Sequence, residues 1–491
     1  MITESKNHKN ENEGAMCDDL RHFIKRAQEN HDCRIIQGAD WDLEIGAVTE
    51  IQRSISDSPL LLFDTIKGYP KGYRVATNVL NTDRRVNMVL GLPLEATGVE
   101  QVKAWRRKTR EGITPVTPAQ VETGPIKENI QRGDEVDIFK FPVPKWHELD
   151  GGRYIGTGDV VIQRDPDEGW VNLGTYRVQA HDRNTATIHI VKGHHGDLIQ
   201  KKYWDKGQAA PAVVLCGVDP LLYYIGSAPL PWGVAEYEYA GGFRNKPIEV
   251  VEGEFTDLPI PATAEIALEG ELLPPGTETR IEGPFGEWEG YFAGEAREEP
   301  VFRIKAVLHR NNPIIYGAPP LVGTFENAQG RIMWGAAALW DELDRQMVGV
   351  KGVWMPPEAR NTLMVIISIK QMFSGHAQQA AMLAAGSYGT AWMNRFIIVV
   401  DEDIDPSKMG EVLWALTTRC DPAESIDILR GCWGARSDPL LSPAKRTLNQ
   451  IDTSKAVIYA CKPYHWINEF PPPVKSSPEF LEKMRLKFLS E

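Results

Sequence analysis

Short apolar runs separated by clusters of Gly, Pro and Asp fill the middle of this chain, from about residue 124 to about residue 310. The runs are short and end at turn-forming residues, which is the pattern of strands joined by turns. The sequence therefore predicts a β-barrel or β-sandwich here and leaves the strand order open. The runs span residues 159–163, 170–178, 187–191, 212–218, 248–251, 265–268 and 301–308.

The two regions that flank this β-rich part mix helix and strand patterns. Such alternation is typical of α/β layers, so we predict an α/β (α+β) fold with a disordered tail at 1–16 and domains at 17–123, 124–327 and 328–491. One basic helix, at 102–110, is expected to present a solvated face. The other predicted elements are helices beginning near Leu20 and at 331–343, 377–385, 410–418 and the last residues, and strands at 59–63, 362–369 and 396–400.

Charge and cysteine content exclude several classes of protein. The chain carries 54 Lys and Arg against 67 Asp and Glu, a net charge of −13, which argues against nucleic-acid binding. Its six cysteines form no C-x-x-C pair, which favours a reducing cytoplasm over a secreted disulfide scaffold. Because the first fifteen residues are polar and no run reaches the length of a membrane span, we expect neither a signal peptide nor a membrane helix.

Two motifs in the first half of the β-rich part carry ligand-type residues. In Asn172-Leu173-Gly174-Thr175-Tyr176-Arg177, the amide of Asn172 offers a neutral oxygen, Gly174 and Thr175 let an anion approach, and Arg177 offers a fork for a carboxylate or phosphate. In Lys192-Gly193-His194-His195-Gly196, an imidazole could bind a divalent ion. An ordinary strand and two surface histidines are the alternatives.

Two further motifs supply carboxylates. The stiff loop Ser227-Ala228-Pro229-Leu230-Pro231-Trp232-Gly233 leads to Glu236, a candidate cation ligand or helix-start residue, with Glu238 as its competitor. In Glu282-Gly283-Pro284-Phe285-Gly286-Glu287 two acids flank a bend that can turn both towards one site. Apolar walls from Phe285, Trp288 and Tyr291 could raise the pKa of a carboxyl and make it a proton donor. A surface turn with exposed acids is the alternative.

These four motifs, in this order, resemble the UbiD family of decarboxylases that depend on prenylated FMN (prFMN). E-G-P-F-G-E is similar letter for letter to the ferulic acid decarboxylases of that family, and S-A-P-L-P-W-G-V-A-E resembles their S-x-P-I-P-x-G-V-x-E loop. Weaker similarity extends from 43–47 to 402–405 and 413–415, so the resemblance covers most of the chain.

The resemblance implies a central flavin-binding split β-barrel with a cofactor and two cations. Asn172, His195 and Glu236 match the protein ligands of a Mn²⁺-like (or Mg²⁺) ion bound to the cofactor phosphate. The backbone of Leu173, Gly226 and Ala228 resembles a K⁺ site. The residues implied to contact prFMN are Asn172, Leu173, Gly174, Thr175, Tyr176, Arg177, His194, His195 and Glu236.

The resemblance also implies a reaction. Arg177, Glu282 and Glu287 match a catalytic Glu–Arg–Glu network for reversible decarboxylation of an aromatic, heteroaromatic or α,β-unsaturated acid, with Glu287 as proton donor. Implied partners are a flavin prenyltransferase that supplies the cofactor, and other copies of the chain in a dimer or hexamer through an oligomerising C-terminal domain.

Departures from the family pattern concern specificity. Tyr176 places a phenol near the pocket, Glu289 adds a third acid, and Trp433 or Leu440 could line the substrate cavity. Two alternatives remain at this point: a flavin-binding oxidoreductase on the same split barrel, and a non-catalytic binding or assembly protein.

Overall fold

A computed structural model describes residues 16–55, 57–323, 326 and 328–489 of the chain. The tail predicted at 1–16 therefore lies outside the described residues except for Met16. Helix α1 begins after Asp19, whose side chain accepts a hydrogen bond from His22 N, and buries its predicted apolar face. The first region contains α1 (Leu20–Glu29), β1 (Cys33–Gln37), α2 (Glu44–Arg53), β2 (Leu60–Asp64), β3 (Arg74–Thr77), α3 (Asp83–Leu90) and α4 (Gly98–Arg110).

The central region is dominated by strands, as predicted. Its elements are β4 (Ala119–Gln120), β5 (Asn129–Arg132), β6 (Arg153–Gly156), β7 (Asp159–Arg164), β8 (Val171–Gly174), β9 (Arg177–Asp182), β10 (Thr185–His189), α5 (His195–Trp204), β11 (Ala210–Cys216), α6 (Pro220–Gly226), α7 (Glu236–Arg244), β12 (Glu249–Glu252), β13 (Pro259–Pro261), β14 (Ile266–Leu272), β15 (Thr279–Glu282), β16 (Arg297–His309) and β17 (Ile314–Tyr316). Each of the seven apolar runs contains strand residues. The run at 170–178 is two strands, because the chain leaves β8 at Gly174 and starts β9 at Arg177.

A ten-stranded, largely antiparallel sheet forms the centre of the molecule. Its order is β6-β9-β10-β16-β14-β11-β7-β8, with β5 and β15 also paired to the long strand β16. Strand β17 leaves this region and pairs with β3 in a four-stranded sheet, β1-β2-β3-β17, so the first and central regions share structure. Within the central region, β4 pairs with β12 in a separate three-stranded sheet of order β13-β12-β4.

The last region is an α/β layer around a five-stranded sheet of order β18-β19-β20-β22-β21. The helices and strands predicted there are all present. They are α8 (Ala328–Gln346), β18 (Val350–Trp354), β19 (Met364–Ile369), α9 (His376–Gly386), α10 (Tyr388–Ala391), β20 (Phe396–Asp401), α11 (Met409–Arg419), β21 (Ile426–Trp433), α12 (Pro443–Thr447), β22 (Asp452–Ala460) and α13 (Pro478–Phe488).

The solvated face expected for the basic helix at 102–110 is wrong in part. Helix α4 packs on α8 and buries Val102, Trp105 and Arg106. The guanidinium of Arg106 is stabilised by hydrogen bonds to Asp341 and Asp344 of α8, so a basic residue here serves an inter-region contact.

The mixed α/β fold class is confirmed by these layers. Among the residues that the structure describes, no helix has the length and apolar character needed to cross a bilayer.

Candidate active site

Arg177 lies between two carboxylates, Glu282 and Glu287. Its Nε and Nη2 donate to the two carboxylate oxygens of Glu282, each at 2.8 Å, and its Nη1 donates to Glu287 Oε1 at 3.2 Å. A two-point pairing of a guanidinium with a carboxylate fixes both planes. The predicted residues of the Glu–Arg–Glu set are therefore brought together.

The local fold explains this arrangement. Arg177 is the first residue of β9 and Glu282 the last of β15, so both side chains emerge at strand ends where the backbone turns. The loop at 283–296 then returns Glu287 to the guanidinium, and a tight turn in which Gly290 N donates to Glu287 O at 2.9 Å shapes its far side.

Tyr154 contacts Glu282 directly, and Gln179 contacts both Tyr154 and the residue after Glu282. The Tyr154 hydroxyl lies 3.1 Å from both Glu282 Oε1 and Gln179 Oε1, and Gln179 Oε1 also accepts a hydrogen bond from Gly283 N at 2.9 Å. Glu282 is fully buried. Both carboxylate oxygens of Glu282 therefore accept a hydrogen bond from Arg177, and Tyr154 adds a third contact that helps to fix the position of the carboxylate.

The charges of this network stabilise one another. Burial would raise the pKa of Glu282, but the hydrogen bonds and charge of Arg177 outweigh burial and hold it below its ordinary value. Burial opposes the charge of Arg177, yet the two carboxylates raise the pKa of the guanidinium above its usual range. Arg177 is thus a permanent cation that can orient a substrate carboxylate.

Aromatic rings surround the network. Phe285 packs on Tyr154 with ring centroids 4.0 Å apart, and the Arg177 guanidinium carbon lies 5.5 Å from the Phe285 ring. Trp288 contacts Trp392 of the C-terminal region at 5.7 Å. Rings on both regions therefore flank the loop that holds Glu287, whereas Tyr291, which we expected in an apolar wall, is largely exposed.

The predicted cation ligands Asn172 and Glu236 are both buried, within β8 and at the start of α7. Glu236 Oε2 accepts a hydrogen bond from Leu173 N at 2.8 Å, next to Asn172 in the chain. Glu238, the competitor, is only half-buried. The buried position of Glu236 beside Asn172 therefore favours Glu236 over Glu238 as the candidate ligand.

His195 begins α5 between two indoles. Its ring lies 5.7 Å from Trp170 and 5.3 Å from Trp232, both edge-on. Partial burial lowers the pKa of His195, which keeps the imidazole neutral as a metal ligand must be. The backbone of its neighbour Gly196 donates to the Tyr176 hydroxyl at 3.2 Å.

Tyr176 lies between two parts of the predicted cation site, the His195 turn on one side and Asn172 with Glu236 on the other. Burial raises its pKa to about 12, and Asn172 and Glu236 are among the groups that act on its phenol. An added Cβ on Gly174 would lie 2.5 Å from the Tyr176 ring, so glycine is required where the two pack together. Half-buried Thr175 links them in the chain.

The donor set fits a hard cation and a cofactor phosphate. Asn172 Nδ2 and both amide atoms of Gln163, its partner across β7 and β8, are buried without a hydrogen-bond partner within the described ranges. Burial raises the pKa of Glu236 to about 8, and this rise is opposed by backbone hydrogen bonds and by no charged side chain. Buried acids without a counter-charge are costly, and a bound cation would remove that cost.

The other predicted binding residues lie beside this group. The last residue of α6, Gly226, packs on the Leu173 carbonyl, which lies 3.6 Å from where a Cβ would be. Ala228 follows in the next turn, with its N–H bonded to Ile225 O at 2.9 Å. The His194 ring lies 6.3 Å from that of Tyr176. The K⁺ assignment of this backbone stays a prediction.

Some residues next to the network were not anticipated. Gln179 could have been found, because it lies two positions after Arg177 on the same face of a strand. Tyr154 and the pair His189 and Glu299, joined at 2.7 Å, reach Glu282 only through sheet pairing and give no local signal. Trp433 and Leu440, predicted to set specificity, are 54% and 76% exposed.

A cavity of about 790 Å³ lies elsewhere, between the start of α4 and the segment at 402–411. It is lined mainly by acids and lysines, and none of the predicted site residues borders it.

Comparison with known proteins agrees with this geometry. Three family models match in succession: the UbiD N-terminal domain at 24–105, the Rift-related domain at 119–322 and the C-terminal domain at 332–460, all described as 3-octaprenyl-4-hydroxybenzoate carboxy-lyase.

Related proteins match over most of their length. The chain is 32% identical to the pyrrole-2-carboxylic acid decarboxylase of Pseudomonas aeruginosa, over 82% of this chain and 83% of that one. It is 29% identical to a phenolic acid decarboxylase of a Streptomyces species, over 95% and 97%.

One UbiD-class enzyme of known structure matches in two forms. HmfF from Pelotomaculum thermopropionicum in complex with FMN has a TM-score of 0.83 and 27% identity, covering 96% of this chain and 99% of that one. Its evolved dimeric form in complex with prFMN has a TM-score of 0.80 and 26% identity, with the same coverage. Domain models in the family's order and full-length relatives together make this chain a member of the UbiD family of carboxy-lyases.

Proposed function

We propose that this protein is a prFMN-dependent decarboxylase that removes CO₂ from an aromatic, heteroaromatic or α,β-unsaturated carboxylic acid, with carboxylation as the reverse reaction. The observation that carries the proposal is the fork of Arg177 held between Glu282 and Glu287. Relatives named as decarboxylases and a structural relative in complex with prFMN support it.

The cofactor would supply the electron sink that loss of CO₂ from an sp² carbon requires. Asn172, His195 and Glu236 would hold a Mn²⁺ or Mg²⁺ ion against its phosphate, and the backbone at Leu173, Gly226 and Ala228 would hold K⁺. The buried Glu236 carboxyl, on which no charged side chain acts, supports the divalent-ion assignment, and the unpaired N–H groups of Asn172 and Gln163 suit the phosphate.

Arg177 would bind the substrate carboxylate. Its guanidinium is always charged, and Glu282 fixes its plane through two hydrogen bonds, so the remaining Nη1 is oriented towards Glu287 and the space beside it. Orientation of this kind is worth several kcal/mol of barrier, of the order of 7–11 in favourable cases.

Glu287 would give the proton to the carbon that loses CO₂. Its side chain is 18% exposed, whereas that of Glu282 is fully buried and bound on both oxygens. The Glu287 carboxylate accepts one hydrogen bond from Arg177 and retains the freedom to reach a substrate. Glu282 is therefore assigned to holding Arg177.

The aromatic side chains around the site favour one shape of substrate. The rings of Phe285, Trp288 and Trp392 around the loop favour a flat, conjugated acid, because stacked rings recognise such surfaces. A compact phenolic or heteroaromatic acid is the first choice.

The test is co-production of the chain with a flavin prenyltransferase, the proposed supplier of the cofactor. We expect a modified-flavin absorption spectrum and CO₂ release from members of a panel of pyrrole, phenolic and cinnamic-type acids. Absence of bound modified flavin together with inactivity on the whole panel would refute the proposal, and NADH-dependent bleaching of a bound flavin would favour an oxidoreductase.

We also propose that the enzyme works as a homo-oligomer in a reducing cytoplasm. All six cysteines are free in the structure, as a reducing compartment requires.

A further inference from the structure

Glu289 is a buried acid that the proposed function leaves without a role. It lies two residues after Glu287 in the loop at 283–296 and is 5% exposed. Its Oε1 accepts a hydrogen bond from the Ser437 hydroxyl at 2.5 Å, and within the described part of the chain its buried Oε2 has no hydrogen-bond partner.

The surroundings of this carboxyl are acidic on two sides. Glu287 of the same turn and Asp438 of the C-terminal region both act on it, and Asp438 is itself paired with Arg395 at 2.5 Å. On the other side, Arg360 lies beside the turn, 2.1 Å from where a Cβ on Gly290 would be, and its guanidinium and the Glu289 carboxyl act on each other through their charges. Burial, with Glu287 and Asp438, raises the pKa of Glu289 to about 7, and the Ser437 hydrogen bond opposes the rise.

Decarboxylation creates a demand for protons on this side of the site. Each substrate carboxylate that becomes CO₂ and a C–H bond consumes one proton, which Glu287 would supply. Arg177 cannot return it, because its pKa is raised above a value that is already very high. Glu287 must therefore be protonated again by another acid or by solvent.

We propose that Glu289 carries the next proton and transfers it to Glu287 after each turnover, a role that rests on the proposed function. The O–H bond of Glu289 breaks as that of Glu287 forms, and solvent reprotonates Glu289 when the product leaves. Glu289 acts through Glu287 and is thus a positioning residue rather than a catalytic one.

A first experiment needs no cofactor. Infrared spectra of the cofactor-free protein are recorded between pH 5 and pH 9 for the native chain and for Glu289→Gln. The difference between the two proteins should contain a protonated-carboxyl band that disappears with a midpoint near neutral pH, because the bands of other buried acids, such as Glu236 and Asp83, cancel in it. The matched control Glu295→Gln, which changes an exposed acid of the same loop, should give no such difference from the native chain. Identical spectra of the native chain and Glu289→Gln across this pH range would overturn the proposal.

A second experiment compares the first turnover with the steady state in prFMN-loaded enzyme. Glu289→Gln should keep its first-turnover rate and lose steady-state rate by a factor on the order of 10². Ser437→Ala should move the alkaline fall in rate to higher pH, because it removes a hydrogen bond that favours the ionised carboxyl.

The outcomes separate the two proposals. Equal losses in both phases for Glu289→Gln would mean a structural role and overturn this inference alone. A wild-type enzyme without any first turnover would overturn the proposed function, and this inference with it.

Discussion

At the scale of single residues, the main feature of the site is the guanidinium of Arg177, which is held between two carboxylates. Glu282 is fully buried, and a buried carboxylate is tolerated only while its partners remain. Arg177 gives it two hydrogen bonds at 2.8 Å and Tyr154 a third contact at 3.1 Å. Removal of Arg177 therefore affects stability as well as activity.

Replacement of Arg177 by Met should destabilise the cofactor-free protein by about 3–5 kcal/mol near neutral pH, because Glu282 is left as an unpaired buried charge. In the native chain the pKa of Glu282 is lowered, so its contribution is present above its unfolded pKa and is lost as the pH falls. In the variant burial alone would raise that pKa, so this contribution would reverse and stability would be recovered on acidification.

Thermal unfolding of both proteins at pH 5 and pH 8 measures this effect. The gap between Arg177→Met and the native chain should narrow at pH 5. In the double variant Arg177→Met/Glu282→Gln the gap should be smaller and independent of pH. A gap that widens on acidification would contradict the assignment of charge to Glu282.

Sequence reasoning could select the three residues of this contact because each of them is marked locally. Arg177, Glu282 and Glu287 stand in motifs of strong residue pattern, and the structure brings the three together. Tyr154 could not be found, because it reaches Glu282 through the pairing of β6 with β9. The register of two strands cannot be predicted from the sequence of either strand alone.

At the scale of elements, the site depends on two loops whose backbones are in direct contact. Gly151 N donates to Pro284 O at 2.8 Å, and a Cβ on Gly151 would lie 1.9 Å from Gly283 O. The turn before β6 is thus a support for the loop that follows Glu282. Element types were predictable from periodicity, whereas this contact and the burial of α4 against α8 depend on tertiary packing.

Substitution of Gly151 by Ala should displace the start of the loop at 283–296. We expect turnover of the prFMN-loaded enzyme to fall by roughly 10² because a misplacement near 1 Å has effects of that size. The matched control is Gly410→Ala in α11, where a Cβ meets no atom within 4 Å and activity should be unchanged. Normal turnover in Gly151→Ala would show that the contact does not position the loop.

At the scale of the whole molecule, the C-terminal region exposes apolar side chains that a single chain does not cover. No residue of α13 is buried, and Phe480, Leu481 and Phe488 are 52%, 55% and 66% exposed. Exposed apolar clusters of this kind are typical of protein contacts. The fold types of the three regions could be predicted, but the partner surface could not, since a sequence does not show which apolar face is left uncovered.

Light scattering of the purified protein should therefore give a mass of at least two chains. Leu481→Glu with Phe488→Glu should lower that mass if α13 contributes to the contact. A native mass equal to one chain, 55.0 kDa, would contradict the proposed oligomer.

The central claim is that Glu287 donates the proton after Arg177 has oriented the acid. Its most direct test is Glu287→Gln in prFMN-loaded enzyme, with exchange of ¹³C-labelled CO₂ into the substrate measured beside product formation. The account predicts normal cofactor content, continued exchange and a loss of product formation on the order of 10²–10⁴. Product formation at the native rate by this variant would contradict it.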